Sequence, residues 1–403
     1  MLIQFSIKNF MSIKDKITFS MLASKDKEHE ENLIKGEKEN YLRTAVIYGA
    51  NASGKSNLFK AINIVIMMLR NSNNMQPKMP LPFFPFKFDK ETLNGKTEFE
   101  IIMKLNDVKY VYGFKSDRNR IYEEYLYYYP NGKQTEIFER TNVTKYHFTK
   151  AENELFDIKE KNMENKLFLA TATTWNYEKT KPVYDFLTNE INTIFEYEPL
   201  RRFSLDLLNK TDLNISGFDV KNVDITREHL LAFPPELRPL MTNGMKGYNV
   251  TTRHTFEDEK GNKVDGIIDF EEESLGTKNI FLLIPCLKDT LEKGKIMIID
   301  ELDKSLHPLL VNYIVSLFNN PVINKNGAQL IFNTHDTNLL SLTIFRRDQI
   351  WFTEKNYKNG STDLYPLDEF PVRKNENIQK GYLNGRYGAI PFIAIGEELW
   401  QDQ

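Results

Sequence analysis

One stretch constrains this chain more than any other: Ala45-Val-Ile-Tyr-Gly-Ala-Asn-Ala-Ser-Gly-Lys-Ser-Asn-Leu-Phe-Lys60. An apolar strand pattern turns through a loop bounded by two glycines and continues at helical spacing from Lys55. The arrangement Gly49-x4-Gly54-Lys55-Ser56 is that of a phosphate cradle. Glycines let backbone N–H groups close around phosphate oxygens, a lysine reaches the terminal phosphates, and a serine hydroxyl serves Mg2+. The helix that starts here adds the positive end of its dipole. Candidate phosphate-contacting positions are therefore Gly49, Asn51, Ala52, Ser53, Gly54, Lys55, Ser56 and Asn57.

The 403 residues suffice for two or three lobes with an ample core. With 53 basic residues against 56 acidic ones the net charge is −3, so no global field advertises nucleic acid or an anionic membrane as a partner. A local basic groove stays open. Cys286 stands alone inside an apolar run, which excludes a disulfide framework within the chain and reads as a buried, inert thiol. The segment Met1–Phe10 alternates like a strand and lacks the basic start and apolar stretch of a secretion signal. No apolar run approaches the ~20 residues needed to cross a bilayer. A cytoplasmic protein with no membrane partner is expected.

Period-2 apolar positions predict strands over Leu2–Ile7 and Ile17–Met21, followed by a charged, solvated loop over Ser24–Asn40. Beyond the cradle, Leu58, Ala61, Ile62, Val65, Ile66 and Leu69 place an apolar stripe on a helix Lys55–Arg70, to be buried against a sheet. Asn71–Pro85 breaks the pattern. Strand signals at Thr97–Leu105, Val108–Lys115, Ile121–Tyr129 and Gln134–Arg140, joined by tight turns, imply successive hairpins and an antiparallel sheet. Its many tyrosines suit strand packing better than a base-stacking platform. From Thr144 to Leu240 the pattern turns mostly helical, clearest at Lys150–Lys161, Thr180–Phe195 and Leu200–Lys210, the last led by Pro199. Arg201 and Arg202 read as solvated helix surface. An inserted, largely helical lobe at 144–248 is therefore expected between an N-terminal part at 1–143 and a C-terminal part at 249–403. A hairpin signal follows at Val250–Phe256 and Val264–Phe270. The remainder alternates: helix Leu275–Glu292, strand Ile296–Ile299, helix Leu309–Asn319, strand Gln329–Asn333, helix Thr337–Ile344, strand Gln349–Thr353. Such alternation builds a largely parallel sheet covered by helices, an α/β fold.

A nucleotide site needs carboxylates as well, and Lys295-Ile-Met-Ile-Ile-Asp-Glu301 delivers Asp300 and Glu301 to the C-terminal end of an apolar strand. Asp300 would hold Mg2+ through water, leaving Glu301 to orient or deprotonate the attacking water. Three further elements stand out. Glu273-Ser-Leu-Gly-Thr-Lys278 precedes a long apolar helix, where Ser274 and the Gly276 backbone suit an anion or an ordinary helix cap. Asp303 lies just past the Asp-Glu pair, where a second subunit could read it. His335 ends the next strand, level with the catalytic edge; a lone histidine is usually structural, and this placement also suits a sensor of the terminal phosphate.

These motifs resemble the ABC-type ATPase heads of the RecF, SMC and OLD (overcoming-lysogenisation-defect) kind, and most of all the stand-alone bacterial ATPases of the RloA type. The resemblance rests on Asn9-Phe-Met-Ser-Ile13, the cradle, Ser274-x-Gly-Thr, Asp300-Glu-Leu-Asp-Lys-Ser-Leu-His-Pro308, Thr334-His335-Asp and Gly385-Arg-Tyr-Gly-Ala-Ile-Pro391, and does not cover the middle of the chain. It implies a P-loop NTPase head of ABC type, with a mostly parallel core sheet plus an antiparallel β subdomain. It further implies ATP and Mg2+ as cofactors, Ser56 and Asp300 on the metal, and Lys55, Glu301 and His335 in catalysis. Two heads would sandwich two ATPs, each held by one subunit's cradle and the other's Ser274, Gly276 and Asp303. The chain departs from the family in lacking the Leu-Ser-Gly-Gly-Gln form of the signature and in carrying Met11 where a basic residue often approaches the nucleotide. Gln76 is the candidate for the glutamine loop.

The resemblance favours a homodimeric, ATP-gated switch for a separately encoded effector, a nuclease or toprim-like protein, in bacterial anti-phage defence or abortive infection. The alternative is a RecF-like repair ATPase that binds DNA; nucleic acid stays open as a partner. A self-contained nuclease of the OLD kind would need an acidic metal-binding domain after the head, and Asp363, Asp368, Glu397 and Glu398 stand in too short a stretch to build one.

Overall fold

Strands that are apolar at every position need cover on both faces, and such strands form the centre of the molecule. The computed structural model describes residues 1–149, 152–193, 215–224, 246–304, 306–374 and 376–391. Strands β1 (Leu2–Lys8), β2 (Ile17–Ser20), β3 (Leu33–Ile34), β4 (Tyr41–Leu42) and β5 (Thr44–Gly49) precede helix α1 (Lys55–Asn71). A single turn, α2 (Lys90–Leu93), leads into β6 (Thr97–Leu105), β7 (Val108–Ser116), β8 (Ile121–Tyr129), β9 (Thr135–Thr141) and β10 (Lys145–His147). Next come α3 (Leu155–Lys159), α4 (Phe168–Thr174), α5 (Lys181–Asn189), β11 (Ile191–Thr193), β12 (Ile215–Asp224), β13 (Lys246–Glu257) and β14 (Lys263–Asp269). The C-terminal part carries α6 (Leu275–Lys293), β15 (Ile296–Ile299), α7 (Pro308–Asn319), β16 (Gln329–Asn333), β17 (Ile350–Lys355), β18 (Thr362–Pro366) and α8 (Ile378–Leu383).

The buried strands β5, β15 and β16 pair in parallel within a six-stranded sheet of order β11-β15-β16-β5-β17-β18, in which only β18 runs antiparallel. Alternate residues of β5 face opposite ways: Ala45 and Ile47 join one core with α1, while Val46 and Tyr48 join another with α6 and α7. A seven-stranded antiparallel sheet, β10-β9-β8-β7-β6-β1-β2, closes the first core. Its strand β6 buries Thr97, Phe99, Ile101 and Met103 in alternation, and the β6–β7 hairpin turns on Asn106 and Asp107, both at positive φ. Helix α1 therefore lies between two sheets. That is why Phe59, Ile64 and Met68 are buried in addition to the expected stripe. The fold is thus an α/β P-loop NTPase head, with the antiparallel subdomain expected from the hairpin signals. Cys286 is buried in the second core, and burial pushes its thiol up to about 11. No described helix is long and apolar enough to cross a membrane.

Several expectations are corrected. The boundary drawn at 143/144 does not divide the core: α4 and α5 pack against α1, Leu167, Phe168, Leu187 and Ile191 belong to the first core, and β11 extends the parallel sheet beside β15. Among the described residues of Lys150–Lys161 the helix is α3 alone, and the helix expected from Thr180 ends at Asn189. Leu200–Lys210, with Pro199, Arg201 and Arg202, lies outside the described residues. The described residues of β12 pair with β13 and β14 in a three-stranded antiparallel sheet, so that part of the expected helical lobe is β structure.

The predicted helix Thr337–Ile344 is only a short 3-10 turn at Thr337–Leu339. Asp336 Oδ1 accepts from the Asn338 amide at 2.9 Å and Ser341 Oγ from the Thr343 amide at 3.2 Å, so short side chains satisfy backbone groups that a helix would use. Ser24–Asn40 is not a free solvated loop either. Arg346 is fully buried, and its guanidinium donates to Glu28 O at 2.5 Å and to both Asp348 oxygens. Asp348 in turn accepts from the Ser24 amide at 2.7 Å, and Arg347 pairs with Asp26 at 2.8 Å. A buried guanidinium requires a full set of acceptors, and the charged segment supplies them.

Candidate nucleotide site

Strand β5 ends at Gly49, and the loop to α1 is made by left-handed backbone at Ala52 (φ +62°) and Gly54 (φ +109°). A Cβ on Gly54 would strike Thr362 and Ser12, and one on Gly49 would strike Thr353 and Ser53. The loop is held by groups from distant parts of the chain. Ser53 Oγ lies 2.6 Å from Thr353 Oγ1, Thr362 Oγ1 donates to Ser53 O at 2.7 Å, and Asn57 Nδ2 donates to Ser12 Oγ at 2.7 Å. Ser12 and Thr362 are themselves paired at 2.7 Å. Lys55 is buried, its Nζ donating to Gly49 O at 2.8 Å and Ala50 O at 3.0 Å. Burial pulls its pKa below the usual lysine value, while Asp300, Glu301 and Asp303 push the other way.

The carboxylate edge meets the cradle directly. Ser56 Oγ donates to Asp300 Oδ1 at 2.9 Å, and the same oxygen accepts from Asn333 Nδ2 at 2.6 Å. Asn333 Oδ1 accepts from the Glu301 amide, so one buried side chain bridges both acidic residues. Glu301 itself has left-handed backbone (φ +57°), and its carboxylate is 3.3 Å from Lys304 Nζ. The His335 amide donates to Asp303 Oδ2 at 3.1 Å, and Asp303 Oδ1 is buried with no partner among the described residues. Ser56 and Asp300 form a hard-oxygen pair of the type Mg2+ takes alongside phosphate oxygens and water. Lys55, Ser56, Asp300, Glu301, Asp303 and His335 thus assemble at the C-terminal ends of β5, β15 and β16, where open α/β sheets bind ligands.

Ser274 caps α6: its Oγ accepts from the Thr277 amide at 3.1 Å and lies 2.8 Å from Thr277 Oγ1. Among the described residues, neither Ser274 nor Gly276 is hydrogen-bonded to the cradle, and Ser274 and Leu275 are exposed. The first turns of α6 are nonetheless tied to the carboxylate edge, because Asn279 Nδ2 donates to Lys304 O at 2.8 Å. Gln76 is not part of this cluster. It follows the C-terminal end of α1, whose 17 residues at 1.5 Å each put it about 25 Å along the helix from the cradle, and its carbonyl accepts from Asn165. Met11 has left-handed backbone (φ +50°) and donates its amide to Phe84 O at 2.6 Å. Asp363 lies on β18 and Asp368 in the turn after it; Glu397 and Glu398 are outside the described residues.

Sequence reasoning missed Asn333, Ser12, Thr353 and Thr362. Asn333 adjoins the Thr334-His335 motif, and its position at the strand end was the available signal. Ser12 stands in the Asn9–Ile13 motif, but nothing there signals its partner Thr362, 350 positions away; Thr353 and Thr362 carry no motif. It also missed Asn209-Lys-Thr-Asp212, which has the Asn-Lys-x-Asp form of a guanine-reading segment and lies outside the described residues.

The family described as "AAA domain, putative AbiEii toxin, Type IV TA system" matches residues 45–341. No curated protein matches the chain. Among solved structures, the SMC head domain from Thermotoga maritima aligns at 14% identity over 91% of this chain and 98% of that one, with a TM-score of 0.37. An Smc head domain with a coiled coil and joint from Pyrococcus yayanosii aligns at 10% identity over 96% and 99%, with a TM-score of 0.39. Scores this low carry no weight for function.

Proposed function

The chain belongs to the AAA-domain family of putative AbiEii toxins of type IV toxin–antitoxin systems, and from that premise we propose that it is an ATP-hydrolysing switch that pairs with a second copy around ATP and Mg2+. The observation that carries this reading is the hydrogen-bonded chain Ser56–Asp300–Asn333–Glu301 at the mouth of the cradle. In this proposal Lys55 and the loop amides hold the phosphates, and Ser56 and Asp300 hold the metal, which supplies charge neutralisation at the terminal phosphates. Glu301 takes the proton of the attacking water, and His335 faces the terminal phosphate from the next strand. Ser274, Gly276 and Asp303 complete the partner's site, a role consistent with the exposure of Ser274 on the N-terminal turn of α6. On the motif resemblance, the proposed role is that of an RloA-like defence ATPase, its pairing gating a separately encoded nuclease or toprim-like effector.

Two assays test this. Wild-type protein should release phosphate from ATP, and Glu301→Gln should bind ATP normally while releasing none; hydrolysis at the wild-type rate in that variant removes Glu301 from its role. A fluorescence-polarisation titration with duplex DNA ends at two salt concentrations tests the repair alternative, which requires salt-sensitive binding stimulated by ATP.

A further inference from the structure

The sheet order gives the cradle two unlike sides. The carboxylates and His335 come from β15 and β16 on one side of β5, while β17 and β18 lie on the other. Terminal phosphates directed at Lys55, Ser56 and Asp300 therefore leave the sugar and base of a nucleotide to extend toward β17 and β18, past Asn57, Ser12 and Thr362. The turn 356–361 that joins these two strands projects from the same C-terminal edge of the sheet as the cradle. Against it lies Phe88, which is 76% exposed.

Exposed apolar side chains are ordinary in isolation; the placement of this one is not. Gly360 in the turn has left-handed backbone (φ +74°), and a Cβ there would sit 3.2 Å from Phe88 Cδ2, so the turn packs closely on the ring. Phe86 meets the same ring edge-on, with centroids 5.6 Å apart. The next residue, Asp89, caps α2 and pairs with Lys14 at 2.7 Å, and Asn9 Oδ1 accepts from the Phe86 amide at 2.9 Å. The aromatic ring is thus held on a fixed backbone against the turn that runs into Thr362, the residue that bonds the cradle at Ser53, yet is left largely uncovered.

We propose that Phe88 is the platform on which the nucleobase stacks, supported by Phe86 and the Gly360 turn. The proposal rests on the reading that the cradle holds a nucleoside triphosphate. Stacking of a base on an aromatic side chain is sequence-tolerant and strong enough to set affinity, and here it would replace the basic residue that Met11 does not supply.

Calorimetric titrations of the full chain with magnesium ATP and with magnesium tripolyphosphate, which has no base or sugar, test the idea. Phe88→Ala should weaken ATP binding about tenfold and leave tripolyphosphate binding within about twofold of wild type, and Phe88→Trp should restore ATP affinity. Unchanged ATP affinity in Phe88→Ala, or a proportional loss of both ligands, overturns the proposal while leaving the cradle in place. Wild-type protein that binds neither ligand overturns the cradle reading and this one with it.

Discussion

Removing the amide of Asn333 attacks the site at the point where its two acidic residues are joined. The side chain is fully buried, donates to Asp300 Oδ1 at 2.6 Å and accepts from the Glu301 amide. A hydrogen bond to a charged group contributes about 1.5–3 kcal/mol and a neutral one about 1. The left-handed backbone of Glu301 costs a further ~1–3 kcal/mol, which the clamp helps to offset. Asn333→Ala should therefore lose about 2–3 kcal/mol of transition-state stabilisation, which at 1.36 kcal/mol per decade is a fall in kcat of roughly 30- to 150-fold. ATP affinity should change little, because the contacts of the cradle loop to Ser12, Thr353 and Thr362 are untouched. Asn333→Asp keeps the acceptor for Glu301 but sets a second carboxylate against Asp300, so it should stay folded and lose activity as well. Steady-state phosphate release, paired with calorimetric ATP binding and a thermal melt, reads all three effects. A folded Asn333→Ala variant with kcat within threefold of wild type would refute the clamp.

Other expectations concern the lysine and the antiparallel sheet. Lys55→Ala should lose measurable ATP binding. In the wild type, burial lowers the pKa of Lys55, so the cationic form that favours phosphate is intact near neutrality and lost as pH rises through a value below the usual 10.5; ATP affinity measured in steps toward alkaline pH should fall early, and a flat profile to that point contradicts the assignment. Glu124 is wholly buried, accepting from the Phe168 and Leu169 amides at 2.6 and 2.9 Å and from Tyr112 OH at 3.1 Å, with Arg140 at 3.8 Å. Glu124→Ala strands the two amides and the tyrosine hydroxyl and takes the counter-charge from Arg140, which keeps its backbone carbonyls at Val143, Met163, Glu164 and Lys166; it should cost about 3–5 kcal/mol in chemical denaturation, and a loss under about 1 kcal/mol would show that water or rearrangement replaces the lost contacts. Burial raises the Glu124 pKa, with Arg140 opposing it. That contribution to stability is full below the ordinary carboxylate range and declines as pH rises through the raised value.

What could be read in advance was what repeats locally. The cradle spacing, the period-2 strands β6 to β9 and the apolar strands β15 and β16 fall within a residue or two of their expected places, because each is specified by its own side chains. Asp300 and Glu301 were legible for the same reason, as the end of a four-residue apolar strand. What escaped depends on distant partners. Ile191-Asn-Thr193 reads as a helix tail until β15 offers it a parallel edge, and the charged run after Ser24 reads as solvent-facing until Arg346 is found beneath it. The clamp of Ser12, Thr353 and Thr362 on the loop joins three segments that no window of sequence contains together. Ser274 illustrates a different gap: an N-cap and a signature serine share the same residue and the same local geometry, and only a second subunit distinguishes them.

The proposed shared site requires that ATP join two copies of this chain. Light scattering on Glu301→Gln, with and without magnesium ATP, measures that directly. The predicted result is a monomer without nucleotide and a doubled mass with it, a shift that Lys55→Ala or Ser274→Arg in the same background abolishes. A monomeric mass in the presence of ATP that calorimetry shows to be bound would contradict the shared site.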